Sequence, residues 1–135
     1  MKKMNLLLCG LAISNSVTVY AVEIGNYKSL ANSMSKDYIN ICYSAGYVAS
    51  KGEIMGRKDL INWGEIMMQS YSRLSTYRWT EDEYMKNVVP HMDEKVQEFN
   101  KLDEARKSKI FFTCMKNKNK KLDELFSEVK IRYNL

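Results

Sequence analysis

Cysteine and histidine are the residue types in this chain best suited to catalysis or metal binding, and the sequence holds three cysteines and one histidine. Cys42 and Cys114 lie far apart, and no C-x-x-C spacing marks a redox or metal site. Cys9 lies in a segment that we expect to be removed. Two thiols in an oxidising compartment favour a structural disulfide, Cys42–Cys114, worth roughly 4 kcal/mol of stability in the chain-entropy model.

The N-terminal segment predicts secretion. Lys2 and Lys3 precede an apolar stretch, Met4–Ser14, and Val19–Ala21 offers the small or β-branched residues that signal peptidase accepts. We expect residues 1–21 to be a cleaved signal peptide, leaving a periplasmic domain, 22–135, of 135 − 21 = 114 residues. Removing two lysines lowers the net charge from +5 to +3, which is too weak to indicate nucleic-acid binding.

Membrane attachment is disfavoured. A lipid anchor at Cys9 would need a small residue before it, and Leu8 occupies that position. The apolar stretch is also too short to span a bilayer comfortably, so we expect no stable membrane insertion after signal cleavage.

Catalysis is not predicted either. One histidine excludes H-E-x-x-H and histidine clusters, and the sequence has no G-x-S-x-G, phosphate-binding loop or dinucleotide fingerprint. Glu94 and Glu98 lie one helical turn apart, but Lys95 and Lys101 nearby indicate a solvated face. We therefore expect no enzyme, no metal and no cofactor.

Binding is the remaining class of function. Tyr77, Arg78 and Trp79 are consecutive, and these residue types dominate interface hot spots. We predict that they contact a partner, with His91 and Asn100 as secondary candidates. A surface or packing role is the alternative for His91. The lysines of 116–121 indicate a solvated helix end or, alternatively, a contact for an acidic partner.

The spacing of apolar residues predicts helices throughout. The stripes are Ile39, Cys42, Tyr43, Gly46 and Tyr47; Leu60, Trp63, Met67, Tyr71 and Leu74; Tyr84, Val88, Met92, Val96 and Phe99; Ile110, Phe111, Cys114 and Met115; and Leu122, Leu125, Phe126 and Val129. We predict an all-α fold, a single small bundle of four to five helices stapled by one disulfide.

Local signals place the helix ends. Ser33 or Ser35 and Gly52 bound the first helix, and Ser75–Trp79 is expected to be a connection after the second. Thr80–Glu83 is a capping box. For Trp79, the alternative to a partner contact is a structural role as a hydrophobic staple against Tyr84. Pro90 predicts a kink or break, and a fourth helix is expected over about Asp103–Asn117. Asn117 or Asn119 marks a turn or cap after it.

Five segments between Tyr38 and Val129 occur in a characteristic order: Ile41–Tyr47, Gln69–Leu74, Trp79–Tyr84, Phe112–Lys116 and Lys120–Leu125. Together they resemble the periplasmic immunity proteins of type VI secretion amidase effectors. Those proteins inhibit effectors that cut peptidoglycan peptides. The resemblance implies an all-α, disulfide-linked fold, a homodimer, and a cell-wall amidase effector as the partner whose active site is covered.

The chain departs from the family at one place. The family carries a Gly/Ser-containing protruding loop before the second cysteine, whereas Phe99–Lys109 here is charged and free of glycine. We expect helix there.

A small helical periplasmic stress chaperone is the alternative function, and it predicts promiscuous binding of clients at acid pH.

Overall fold

Helices supply the regular structure of residues 27–135, which are the residues that the computed structural model describes; no strand occurs in that range. The helices are α1 (27–32), α2 (Lys36–Ser50), α3 (Ile61–Arg78), the single turn α4 (Glu81–Glu83), α5 (Met92–Asn100), α6 (Glu104–Met115) and α7 (Lys120–Arg132). Five of them have nine or more residues, which confirms the predicted all-α bundle of four to five helices. The predicted signal peptide and Cys9 lie outside the described residues.

Side-chain caps begin three of the five long helices. Ser35, Asp103 and Asn119 precede α2, α6 and α7, and each accepts a backbone N–H of the first turn at 2.8–3.1 Å. These bonds satisfy donors that a helix start leaves without partners. Of the two serines considered for α2, Ser35 is the cap. Helix α6 ends at Met115, two residues before the expected end.

The expected connection Ser75–Trp79 is mostly helical, because α3 continues to Arg78. Ser75 and Thr76 donate their hydroxyls to the carbonyls of Ser72 and Arg73 at 2.6 and 2.7 Å, a back-bonding pattern that keeps such residues compatible with helix. Ser75 is also buried, so tertiary packing favours the helical conformation of this residue. Tertiary packing has therefore lengthened the helix beyond the limit that local propensity suggested.

Helices α2 and α3 contact each other backbone to backbone. A Cβ placed on Gly64 would lie 2.7 Å from both the Gly46 carbonyl oxygen and the Ala49 carbonyl carbon. Gly64 therefore takes the contact position, and Trp63, expected on the buried stripe, is 40% exposed instead. Gly46 does lie on the buried face of α2, as its stripe predicts.

The segment after α3 follows its local signals closely. The Glu83 N–H donates to Thr80 Oγ1 at 3.2 Å, and the Thr80 N–H donates to Glu83 Oε2 at 3.0 Å, so the capping box is confirmed. The chain then forms a π-helical turn, Tyr84–Val88, and a 3₁₀ turn, Val89–His91. Pro90 explains the irregularity, since it has no N–H to donate within a regular helix.

A disulfide joins α2 to α6 and confirms the predicted pairing of Cys42 with Cys114, whose Cα atoms lie 5.6 Å apart. Both cysteines are buried, and the Tyr71 hydroxyl donates to the Cys114 carbonyl oxygen at 3.0 Å. Helices α5 and α6 pack on α2, and α7 packs on α3. The core is thus built around the α2–α3 pair.

Candidate partner-binding surface

Four partly exposed aromatic side chains form what we name the aromatic band: Trp79, Tyr84, Tyr43 and Tyr47. The ring centroids of Trp79 and Tyr84 are 6.2 Å apart, and those of Tyr43 and Tyr47 are 6.5 Å apart. Tyr84 and Tyr43 line the same small cavity, which joins the two pairs. The band therefore crosses from the end of α3, over the π-helical turn, to the surface of α2.

Different local causes position these rings. Tyr43 and Tyr47 lie four residues apart in α2 and so share one face of that helix. Trp79 immediately precedes the Thr80 cap, and Tyr84 is the fourth residue after Thr80. This is the spacing of a hydrophobic staple. The edge-on contact of Trp79 with Tyr84 confirms that staple.

A lysine lies over each end of the aromatic band. Lys36 Nζ is 5.4 Å from the ring centroid of Trp79, and Lys51 Nζ is 5.2 Å from that of Tyr47. Both distances suit cation–π attraction, which restrains the rings and gives the ends of the band a positive charge.

The cavity beside the band is too small for a substrate. It lies between α2, α3 and the segment around the π-helical turn, and its accessible volume of ≈ 20 Å³ has room for about one water molecule. A wider groove follows between α2 and α5, with Ile41, Phe99 and Leu102 among its apolar lining residues. These shapes suit contact with a protein surface better than enclosure of a small molecule.

The hydroxyl of Tyr43 is suited to hydrogen bonding rather than to nucleophilic attack. Burial raises the pKa of Tyr43, and the neighbouring Tyr84, Tyr47, Asp93 and Glu65 raise it further. Tyr43 is thus protonated at neutral pH. Across residues 27–135, no hydrogen bond engages the hydroxyls of Tyr43, Tyr47 or Tyr84, so these groups remain available to a partner.

The residues predicted to bind a partner separate into groups with different surroundings. Tyr77 and Trp79 are both partly buried against the core, and Arg78 Nε donates to the Met34 carbonyl oxygen at 3.0 Å, which ties the end of α3 to the chain before α2. Of these three residues, Trp79 is the one that lies in the aromatic band. Whether any of the three contacts a partner stays a prediction.

His91 and Asn100 lie elsewhere. His91 is exposed, with Nδ1 3.5 Å from Glu94 Oε1. Asn100 accepts a bond from Lys107 Nζ at 3.1 Å and donates to Glu53 Oε1 at 3.3 Å. Asn100 therefore belongs to a polar cluster between α5, α6 and the loop after α2. Whether either residue contacts a partner stays a prediction.

Sequence reasoning missed the tyrosines as binding residues. Tyr43 and Tyr47 share an apolar stripe with buried residues, and that pattern indicated core for both. The spacing of four was a usable signal for the pair, but only the position of Tyr84 shows that a longer aromatic surface exists.

The described part of the chain shows neither a metal centre nor a membrane span. Between residues 27 and 135, no three His, Cys, Asp or Glu side chains are grouped so that they could hold a metal ion. None of the helices in that range is both long enough and apolar enough to cross a bilayer.

Comparison of the chain with protein-family models, curated proteins and solved structures finds no significant match. The resemblance to type VI immunity proteins therefore stays a prediction. Within the described residues, the structure shows an all-α, disulfide-linked fold with an aromatic band on its surface.

Proposed function

We propose that this chain is a periplasmic immunity protein that binds and blocks a peptidoglycan-cutting amidase effector of type VI secretion. The aromatic band is the observation that carries the proposal. Tyrosine and tryptophan give large contact areas and lose little side-chain entropy on binding, which is why they dominate interface hot spots. The periplasmic location and the amidase come from the sequence, through the predicted leader and the family resemblance.

The scaffold supports binding by a preformed surface. The Cys42–Cys114 disulfide and the close contact of Gly46 with Gly64 fix α2, the helix that carries Tyr43. A rigid surface avoids the cost of ordering side chains and loops during association, and that saving appears as affinity.

We do not propose that a long loop before Cys114 inhibits the amidase. Helix α5 ends at Asn100 and α6 begins at Glu104, so the chain between them is three residues long. This agrees with the helix expected over much of Phe99–Lys109. Blocking by a helical face, with the aromatic band against the amidase, fits this geometry better than insertion of a loop there.

The direct test uses any peptidoglycan amidase encoded beside this chain, with the inhibitor exported as the full chain and purified from the periplasm. Calorimetry would measure affinity, and hydrolysis of peptidoglycan fragments would measure inhibition. We expect a complex of fixed stoichiometry and loss of amidase activity. Absence of both binding and inhibition would contradict the proposal.

Single variants test the surface. Tyr47→Ala removes a ring from the band, and we expect affinity to fall about ten-fold or more, which is roughly 1.4 kcal/mol. Tyr43→Phe removes only a hydroxyl and should have a smaller effect. Tyr133→Ala is the matched control, because Tyr133 is an exposed tyrosine at the end of α7, outside the band. Equal loss in Tyr47→Ala and Tyr133→Ala would exclude the band as the binding surface.

The stress-chaperone alternative has a separate outcome in the same preparation. Protection of several unrelated proteins from aggregation at acid pH, without selective binding of the amidase, would favour it over the immunity function.

A further inference from the structure

The loop between α2 and α3 has an unusual backbone. Gly52 and Gly56 have φ angles of 74° and 60°, which glycine adopts without steric cost. Met55, between them, has φ of 53°, although its Cβ disfavours the left-handed region. The loop therefore places one non-glycine side chain where the backbone is strained.

Packing of the Met55 side chain within the protein does not compensate for this strain. Met55 is 53% exposed, whereas the preceding residue, Ile54, is completely buried and attaches the loop to the core. Glycine or asparagine at position 55 would adopt the same φ with less strain. A large apolar side chain that is held in solvent at an energetic cost indicates a role in contact with another molecule.

A buried lysine holds the loop in this conformation. The Met55 N–H donates to Glu104 Oε2 at 2.6 Å, and Glu104 Oε1 lies 2.7 Å from Lys107 Nζ. Lys107 is only 5% exposed, and it also donates to the Glu53 carbonyl oxygen and to Asn100 Oδ1. All three donors of the ammonium group thus have acceptors. The bond from Lys107 to Glu53 and the bond from the Met55 N–H to Glu104 both connect α6 to the loop.

Arg57, two residues after Met55 in the same loop, forms an ion pair with Asp59 and also reaches the aromatic and cationic surface around Phe112 on α6. The guanidinium of Arg57 lies 5.7 Å from the ring centroid of Phe112, and Lys116 Nζ lies 5.5 Å from the same ring. Lys109 lines the shallow groove that Phe112 and Lys116 share. Within residues 27–135, Lys109 and Lys116 form no ion pair, so their charges are open to an acidic partner surface.

We propose that Met55 is a binding anchor that enters an apolar pocket, rimmed by carboxylates, on the protein partner. The inference rests on the proposed function and takes the amidase effector as that partner. Methionine suits the role, since its flexible and polarisable side chain adapts to pockets of irregular shape. The clamp through Glu104 and Lys107 holds the anchor in place before the partner arrives, which lowers the entropic cost of binding.

Three variants of Met55 separate strain from recognition. Met55→Asn and Met55→Ala both remove the apolar side chain, but asparagine tolerates a positive φ and alanine does not. We expect Met55→Asn to unfold at a higher temperature than Met55→Ala and both to bind the amidase at least ten-fold more weakly than wild type. Met55→Leu keeps size and apolarity and should bind within about three-fold of wild type.

Charge reversal tests the carboxylate rim. Lys116→Glu should weaken binding at low ionic strength, and the difference from wild type should shrink as salt is added. Lys130→Glu, on α7, is the matched control for surface charge and should have a smaller effect.

The outcomes identify which statement fails. If the wild type binds the amidase and Met55→Asn binds equally well, the anchor is wrong and the immunity function stands. If Met55→Ala is as stable as Met55→Asn, the strain that motivates the anchor is absent. If the wild type does not bind the amidase, the proposed function fails and the anchor, which names that partner, fails with it.

Discussion

Gly64→Ala gives the sharpest test of how the α2–α3 pair is held together. The added methyl group would lie 2.7 Å from the Gly46 oxygen and the Ala49 carbonyl carbon, and it would also meet the Ser50 nitrogen. Ordinary contacts of a Cβ begin near 3.4 Å, and the Ser50 nitrogen is the nearest of the three atoms, so the opposing helix would have to retreat by about 1 Å. All three obstacles are backbone atoms, which no change of rotamer can move.

The expected magnitude is a balance of two opposing terms. Overpacking a close contact costs about 3 kcal/mol at the upper end of its usual range, and an immovable backbone justifies that end. Replacing glycine by alanine within a helix returns about 1 kcal/mol of helix propensity. We therefore expect Gly64→Ala to lower the free energy of unfolding by about 2 kcal/mol, which is a fall in Tm of roughly 10 °C.

Urea unfolding followed by far-ultraviolet circular dichroism, with the disulfide intact, would measure this difference. Asn62→Ala is the matched control, because Asn62 is exposed in the same helix and its replacement tests helix propensity without the clash. Gly46→Ala should destabilise as well, and the double variant should cost less than the sum, since both methyl groups widen one contact. Unchanged or increased stability of Gly64→Ala would refute the close approach of the two helices.

Three further perturbations have defined outcomes. Replacing Cys42 and Cys114 by serine should lower the free energy of unfolding by roughly 4 kcal/mol, checked by urea titration, because the bridge closes a loop with a sequence separation of 72. Thr80→Ala should cost about 1 kcal/mol in the same assay through loss of the capping box, with Thr76→Ala as a control outside any cap. The Lys107 ammonium and the Met55 N–H hold the pKa of Glu104 below its usual value. Because the pKa of Glu104 is lower in the folded state, its ionised carboxylate stabilises the fold at pH values above the unfolded pKa of about 4.3. That contribution is lost as the pH falls through the folded pKa. The stability difference between wild type and Glu104→Gln should therefore be largest near neutral pH and vanish in acid; a difference that persists in acid would contradict the assignment.

The sequence determines the elements that rest on local rules. Thr80 and Glu83 form their capping box from neighbouring residues alone, and Pro90 interrupts the helix because it has no N–H to donate. The all-α class follows from apolar spacing along the chain. With only two cysteines expected after secretion, the pairing of Cys42 with Cys114 had no competitor.

Only the tertiary structure decides which residues from different elements meet. Nothing local distinguishes Gly64 as a contact residue or Lys107 as a buried one, because both depend on what the opposing segment places there. The same holds for the aromatic band, in which Tyr84 joins Tyr43 through the packing of separate segments around one cavity. Local preferences act over a few residues, whereas a surface is created by close packing of distant ones. The residues proposed here to bind a partner are for that reason mostly ones that the sequence placed in the core or passed over.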